Sequence, residues 1–184
     1  IILLIILPKC THDSMQSIID IKKLKIKTPK SYPMPFERLP IRQVFDLSNL
    51  YNNTDPRICQ KAGQVINWGG RDEICQDDDI LTESKLQVLN QTLINVNKYV
   101  TRMLKVIPIQ EGFYLRNLTD VYVNPQFITD CDIHITVTSR PFGNTASLAS
   151  SFYEFVDAFT GRPIQGAIII NAASIPSIAQ NESS

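Results

Sequence analysis

Histidine is nearly absent: His12 and His134 are the only two in 184 residues, so a His-rich metal centre or a Ser-His-Asp triad has almost no imidazole to draw on within this chain. Net charge is missing too. Eighteen basic residues balance eighteen acidic ones, which leaves no field to gather a phosphate backbone or anionic lipid, and nucleic acid is not expected as a partner. Long apolar runs are lacking: Ile1 to Leu7 is unbroken but far short of the roughly 20 residues that a membrane helix needs. Any membrane anchorage is therefore expected outside this chain. There are no internal repeats and no Cys-x-x-Cys pair of the kind found in zinc ribbons and redox centres. With 43% hydrophobic and 20% charged residues, what is present suffices for one core of ordinary size.

The chain opens on Ile1 and closes on Gln180-Asn181-Glu182-Ser183-Ser184 without a terminal structural pattern, and it reads as a piece of a longer protein. Residues 1–8 fit the tail of a secretory signal whose charged start is missing. Sequons at Asn52, Asn90, Asn117 and Asn181 agree with export and are candidate glycosylation sites. Cys59 and Cys75 enclose a loop rich in Gly, Asn and Asp; a disulfide closing it would stabilise the fold by about 3 kcal/mol through loop-closure entropy. These features predict a secreted or cell-surface protein. Cys10 and Cys131 need separate explanations.

From Lys22 to Pro40 the sequence carries five lysines together with Pro29, Pro33, Pro35 and Pro40. This composition cannot bury a core, and it reads as a linker, either a solvated spacer or a segment exposed to proteolytic release. The folded part is expected to begin at Ile41, where Ile41 to Leu47 has strand composition. Asp77-Asp78-Asp79 and the N-cap candidate Thr82 then introduce a helix. The three carboxylates lack the Asp-x-Asp-x-Asp-Gly spacing of a calcium loop. Leu86, Leu89, Leu93, Val96, Val100, Met103 and Ile107 recur at spacings of three and four, which predicts an amphipathic helix of about 25 residues stopped by Pro108. In Asp132 to Thr138, Ile133, Ile135 and Val137 alternate with polar residues, predicting a strand with one dry face and His134 on the polar one. Turn chemistry at Arg140 to Asn144 and at Gly161-Arg162-Pro163 separates it from strands over Ser147 to Val156 and Ala167 to Asn171. The class is α/β (α+β): a twisted mixed sheet with one long amphipathic helix.

Three segments together, Cys131-Asp132-Ile133-His134-Ile135-Thr136-Val137-Thr138-Ser139-Arg140-Pro141, Ala146-Ser147-Leu148-Ala149-Ser150 and Gly161-Arg162-Pro163-Ile164-Gln165-Gly166-Ala167-Ile168-Ile169-Ile170-Asn171, resemble leishmanolysin, the surface metallopeptidase family within the metzincins. The Cys59-to-Cys75 loop, the helix start at Asp79-Ile80-Leu81-Thr82 and the long helix sit in the same order. The resemblance covers about Ile41 to Ile175. It implies that residues 41–184 are the N-terminal part of a metzincin-like catalytic domain, incomplete here, and that residues 9–40 are prosegment and linker. Cys10-Thr11-His12-Asp13 is similar to the family's Cys-x-His-Asp prosegment element, which implies a cysteine switch: the Cys10 thiolate would occupy zinc's open position and displace the water that becomes the nucleophile. Leu148 and Ala149 match the family's edge strand, which hydrogen-bonds extended protein or peptide substrates.

The resemblance also shows what is missing. The family's zinc site is His-Glu-x-x-His with a third histidine further on, because imidazoles one helical turn apart converge on one metal. No such motif occurs here. Its zinc ligands and general base are expected downstream of Ser184, so the chain alone is expected to be inactive and marginal in stability. Family members usually provide a partner for Cys131; Ala149 to Phe159 offers none, so the partner lies downstream, is Cys10, or does not exist. The implied function is the N-terminal portion of a secreted or cell-surface zinc metalloendopeptidase precursor, with a possible part in cell adhesion. The alternative is a truncated, non-catalytic surface binding or adhesion module using the same edge strand.

Overall fold

The computed structural model describes residues 37–143 and 147–177. Cys10 and Asn181 lie outside them, as do the signal-like run and nearly all of the linker. The described residues from Arg38 onward belong to one compact unit.

Strand pairing starts at Leu39. The short strand β1 (Leu39–Pro40) pairs antiparallel with β5 (Lys105–Val106). β2 (Gln43–Asp46) then enters the main sheet, and α1 (Ser48–Asn52) follows at once. The hairpin β3 (Val65–Trp68) and β4 (Arg71–Ile74) turns through Gly69 and Gly70, both at positive φ, as a tight two-residue loop demands. A single 3-10 turn, Asp77–Asp79, leads to α2 (Glu83–Met103). β6 (Phe113–Tyr114) and β7 (Phe127–Ile128) form a small antiparallel pair. β8 (Ile133–Arg140), β9 (Ala149–Val156) and β10 (Pro163–Asn171) complete the main sheet.

That sheet runs β2-β8-β10-β9. β2, β8 and β10 are parallel, with Val44 opposite His134 and Gln165 opposite His134 in turn. β9 joins β10 antiparallel and ends the sheet. On one face, Leu86, Leu89 and Leu93 of α2 pack with Leu50, Ile58 and Val137. On the other, Leu115, Leu118, Val121 and Val123 pack with Phe142, Ala167 and Ile169. The mixed α+β architecture expected from the sequence is present.

Four expectations change in detail. α2 has 21 residues and ends at Met103, short of Pro108: Leu104 turns extended, and Lys105–Val106 pairs with β1 instead of continuing the helix. The apolar stripe is covered only in its first half; Val96 and Met103 are exposed, Met103 at 64%. β8 has no wet face. Layers on both sides of this central strand bury His134, Thr136, Thr138 and Arg140 along with Val137, as is usual for the parallel part of a sheet. Arg140, placed in a turn by its neighbour Pro141, is the last residue of the strand.

The helix start follows the sequence closely. Thr82 is the N-cap of α2 and accepts from the Lys85 amide at 3.4 Å. Before it, the Gln76 amide donates to Asp79 Oδ2 at 2.9 Å, and Lys85 Nζ donates to the Asp78 carbonyl at 2.8 Å. Of the three adjacent acidic residues, Asp79 serves helix entry through its carboxylate and Asp78 through its backbone carbonyl.

Candidate substrate-binding edge

Among the described residues β9 is bonded on one side only. The Asn171 amide donates to the Leu148 carbonyl at 2.9 Å, which makes Leu148 and Asn171 a hydrogen-bonded pair. Antiparallel ladders alternate such pairs with non-bonded ones, so by register Ser150/Ile169 and Phe152/Ala167 also bond, whereas Ala149/Ile170, Ser151/Ile168 and Tyr153/Gly166 do not. The N–H and C=O groups of Ala149, Ser151 and Tyr153 accordingly point away from β10 to the open side. The side chains at Ala149 and Ser151 are small and exposed. Asn171 anchors the start of the edge a second time, through Nδ2 to the Ser147 carbonyl at 2.9 Å.

Two features hold the edge strand at its distance from β10. Gly166 is approached so closely that a Cβ there would lie 2.4 Å from the Phe152 carbonyl oxygen. In addition, the register slips between Gln165 and Gly166: Tyr153 faces Gly166 and Phe155 faces Gln165, leaving Glu154 without a partner on β10. Glu154 is the extra residue of a β-bulge, and a second slip between Pro163 and Gln165 passes over Ile164 on β10 and returns Val156 opposite Pro163 to the original register. The Glu154 carboxylate accepts from the Thr119 amide and hydroxyl, both at 2.6 Å. Beyond the strand, the Asp157 carboxylate closes the turn by accepting from Thr160 N at 2.7 Å and Oγ1 at 2.6 Å. Burial pushes its pKa up, but these bonds and Arg162 outweigh that and hold it below the usual carboxylate value.

Two ion-pair networks fix the strands behind the edge. Arg140, 0% exposed, donates Nη2 to Asp55 Oδ2 at 2.6 Å and to the Asp120 carbonyl at 2.7 Å, and Nη1 to Thr138 Oγ1 and the Ser139 carbonyl. Asp55, itself 2% exposed, also accepts from Thr138 Oγ1 at 3.1 Å. Burial draws the Arg140 pKa below the ordinary guanidinium value, with Asp55 opposing it. At the other end of β8, buried Asp132 accepts from Arg42 N, Nε and Nη2 and from the Ile109 amide at 2.8 to 3.0 Å. Burial raises its pKa, but the Arg42 and Ile109 bonds prevail and leave it lowered.

His134 is buried, with Nε2 3.6 Å from Asp46 Oδ2 and Nδ1 unpartnered among the described residues. Burial lowers its pKa more than Asp46 raises it, so the ring is held neutral. A zinc site needs at least three converging donors. Among the described residues no group of three His, Cys, Asp or Glu is placed to hold a metal, so these residues do not fit zinc. Cys131 is a free, buried thiol among the described residues, its pKa pushed up to about 11 first of all by burial.

The other sequence candidates are dispersed. Cys59 and Cys75 are joined by a disulfide with Cα atoms 5.8 Å apart. It braces the β3–β4 hairpin, whose Trp68 donates Nε1 to the Pro141 carbonyl at 3.0 Å and meets the Phe142 ring at a tilt of 52°, centroids 5.4 Å apart. Asn52 is exposed at the end of α1. Asn90 is half-buried on α2, lining a groove of about 300 Å³ beside β2. Asn117 is exposed, with Oδ1 accepting from the Val123 amide at 3.2 Å. Leu148, 55% exposed, precedes the edge strand that Ala149 begins. The bulge at Glu154 and the Arg140–Asp55 pair escaped the sequence reading; the adjacent polar pair Ser150-Ser151 followed by Phe152-Tyr153-Glu154-Phe155, which breaks alternation, was the available signal for the bulge.

A parallel sheet covered on both faces, closed on one side by an antiparallel edge strand with free backbone groups, defines an α+β domain with one strand left open to pairing. The family model described as leishmanolysin matches residues 4–183, and the chain belongs to that family of zinc-dependent metallopeptidases. No curated protein matches it.

Proposed function

We propose that this chain supplies the substrate-binding edge of a secreted or cell-surface zinc metalloendopeptidase, and that an extended peptide docks by adding a strand to β9. The observation that carries this reading is the open side of β9, where by register Ala149, Ser151 and Tyr153 present N–H and C=O groups that no strand among the described residues pairs. Such an edge recognises the backbone of an extended peptide, and the small side chains of Ala149 and Ser151 let that backbone approach. Of the two residues that the family resemblance implies, Ala149 opens the edge, whereas Leu148 turns its carbonyl to the Asn171 amide. Export is supported by the Cys59–Cys75 disulfide, since disulfides persist in oxidising compartments, and by the sequons at Asn52, Asn90, Asn117 and Asn181. Cys10 is the proposed zymogen ligand of zinc. No helix among the described residues is long and apolar enough to cross a membrane.

Backbone pairing is tested with a capped alanine hexapeptide carrying N-methyl groups on alternate amides, in both phases, titrated against the full chain. Strand addition requires that one phase abolish binding while the other is tolerated, because only every second amide faces β9. Equal binding of both methylated peptides would refute strand addition.

A further inference from the structure

The straight part of the open edge is short. Ala149, Ser151 and Tyr153 face outward in succession, and then the bulge at Glu154 reverses the alternation. A bulge bends its strand and raises the local twist, so a flat ladder cannot continue across it. Glu154 does not drift at this point: both carboxylate oxygens are held by Thr119, through its amide and its hydroxyl, at 2.6 Å. The neighbouring Phe155 is held from the same loop, with Arg116 5.4 Å from its ring centroid, while Gln165, opposite Phe155, is clamped by its side-chain amide to the Arg116 backbone at 2.7 Å and 3.2 Å. The loop carrying Arg116 and Thr119 thus pins both strands where the register slips.

We infer that the Glu154 bulge, latched by Thr119, is the far boundary of the peptide-docking edge, and that Glu154 is a positioning residue which fixes the register and length of the bound peptide. This rests on the strand-addition reading above. The docking segment is Ala149 to Tyr153, and a peptide gains backbone bonds only along it. Thr119 contributes through two bonds to one carboxylate, charge-assisted and short, which is the kind of contact that specifies geometry. Without the latch, Glu154 can rejoin the ladder or swing outward, and the edge occupies its docking register for only part of the time. The apparent affinity then falls by that fraction.

The test uses the full chain and a ladder of capped, fluorescein-labelled alanine peptides of about three to about eight residues. For the unaltered chain, affinity rises with length to about five residues and then stops, since further residues meet the bulge. Glu154→Ala weakens the five-residue peptide about tenfold, whereas Glu154→Gln, which keeps an acceptor for the Thr119 amide, stays within about twofold. Thermal melts accompany each variant, because a purely structural role would move the melting temperature and leave the length plateau unchanged. Affinity that keeps climbing through the longest peptide, or Glu154→Ala binding as tightly as the unaltered chain, overturns the inference. Should Glu154→Ala fail to fold, the plateau of the unaltered chain and the Glu154→Gln titration still decide it. If the unaltered chain binds no peptide of any length, strand addition itself fails, and the latch inference falls with it.

Discussion

The inner strands and the edge strand of the same sheet are built to opposite ends. Along β8, Arg140 is matched by Asp55, Thr138, Ser139 and Asp120, and Asp132 by Arg42 and Ile109. Along β9, every second residue from Ala149 to Tyr153 has backbone groups that no strand among the described residues pairs, and Tyr153 is 62% exposed. The contrast teaches where this fold tolerates incompleteness. The buried charges inside are paired because an unpaired buried charge is costly, although His134 Nδ1, Thr136 Oγ1 and Arg140 Nε find no partner among the described residues; the groups at the edge are hydrated until a strand arrives, so leaving them open costs little and creates a site.

The sharpest way to break the comparison is to make the interior incomplete. Asp55→Ala strands the fully buried Arg140 guanidinium and is expected to destabilise the domain by about 3 to 5 kcal/mol, read as a lower denaturation midpoint in urea. Peptide binding should be lost only in proportion to unfolding. Removing the hairpin brace is next: Cys59→Ser with Cys75→Ser should cost about 2 to 4 kcal/mol, measured the same way against the unaltered chain.

Detaching the edge from the interior is a smaller perturbation with a more specific readout. Gly166→Ala places a methyl group against the Phe152 carbonyl and should cost about 1 to 3 kcal/mol through the forced backbone shift. It should also accelerate amide exchange at Ser150 and Phe152 more than within β8. Equal acceleration in β8 would mean that edge and interior yield together.

The smallest effect is on pH dependence, and it separates two inner groups. His134 has a lowered folded pKa, so the unfolded chain takes up a proton first and stability declines as pH falls through about 6.5, the unperturbed value. Asp132, also lowered, contributes stability that is present above about pH 4 and lost as pH falls further through its folded value. His134→Gln should flatten the upper step and leave the lower one, as followed by urea midpoints between about pH 7 and pH 3.

Much of the inner architecture was legible in the sequence. Alternation in Ile133 to Val137, the apolar run at Ala167 to Ile170 and the cap at Thr82 all mark elements that exist, because local periodicity and capping are decided by neighbours in the chain. Burial of the polar members of β8 was not legible. His134, Thr136 and Arg140 look like a wet face until layers distant in sequence cover both sides of the strand. The end of α2 was missed for a related reason, since its last apolar residues yielded to a pairing with Leu39–Pro40 that no local pattern announces. At the edge, Leu148 and Ala149 were reached through the family resemblance, whereas Glu154 needed the register itself.

The single tryptophan, Trp68, lies between the disulfide-braced hairpin and the carbonyl of Pro141 at the exit of β8. Its indole is thus a built-in optical reporter of one junction, that between hairpin and sheet. Emission changes will follow the seating of the hairpin, while far-ultraviolet dichroism follows α2. Comparing the two signals in one titration shows whether the hairpin leaves the sheet before the helix melts, with no label added to the molecule.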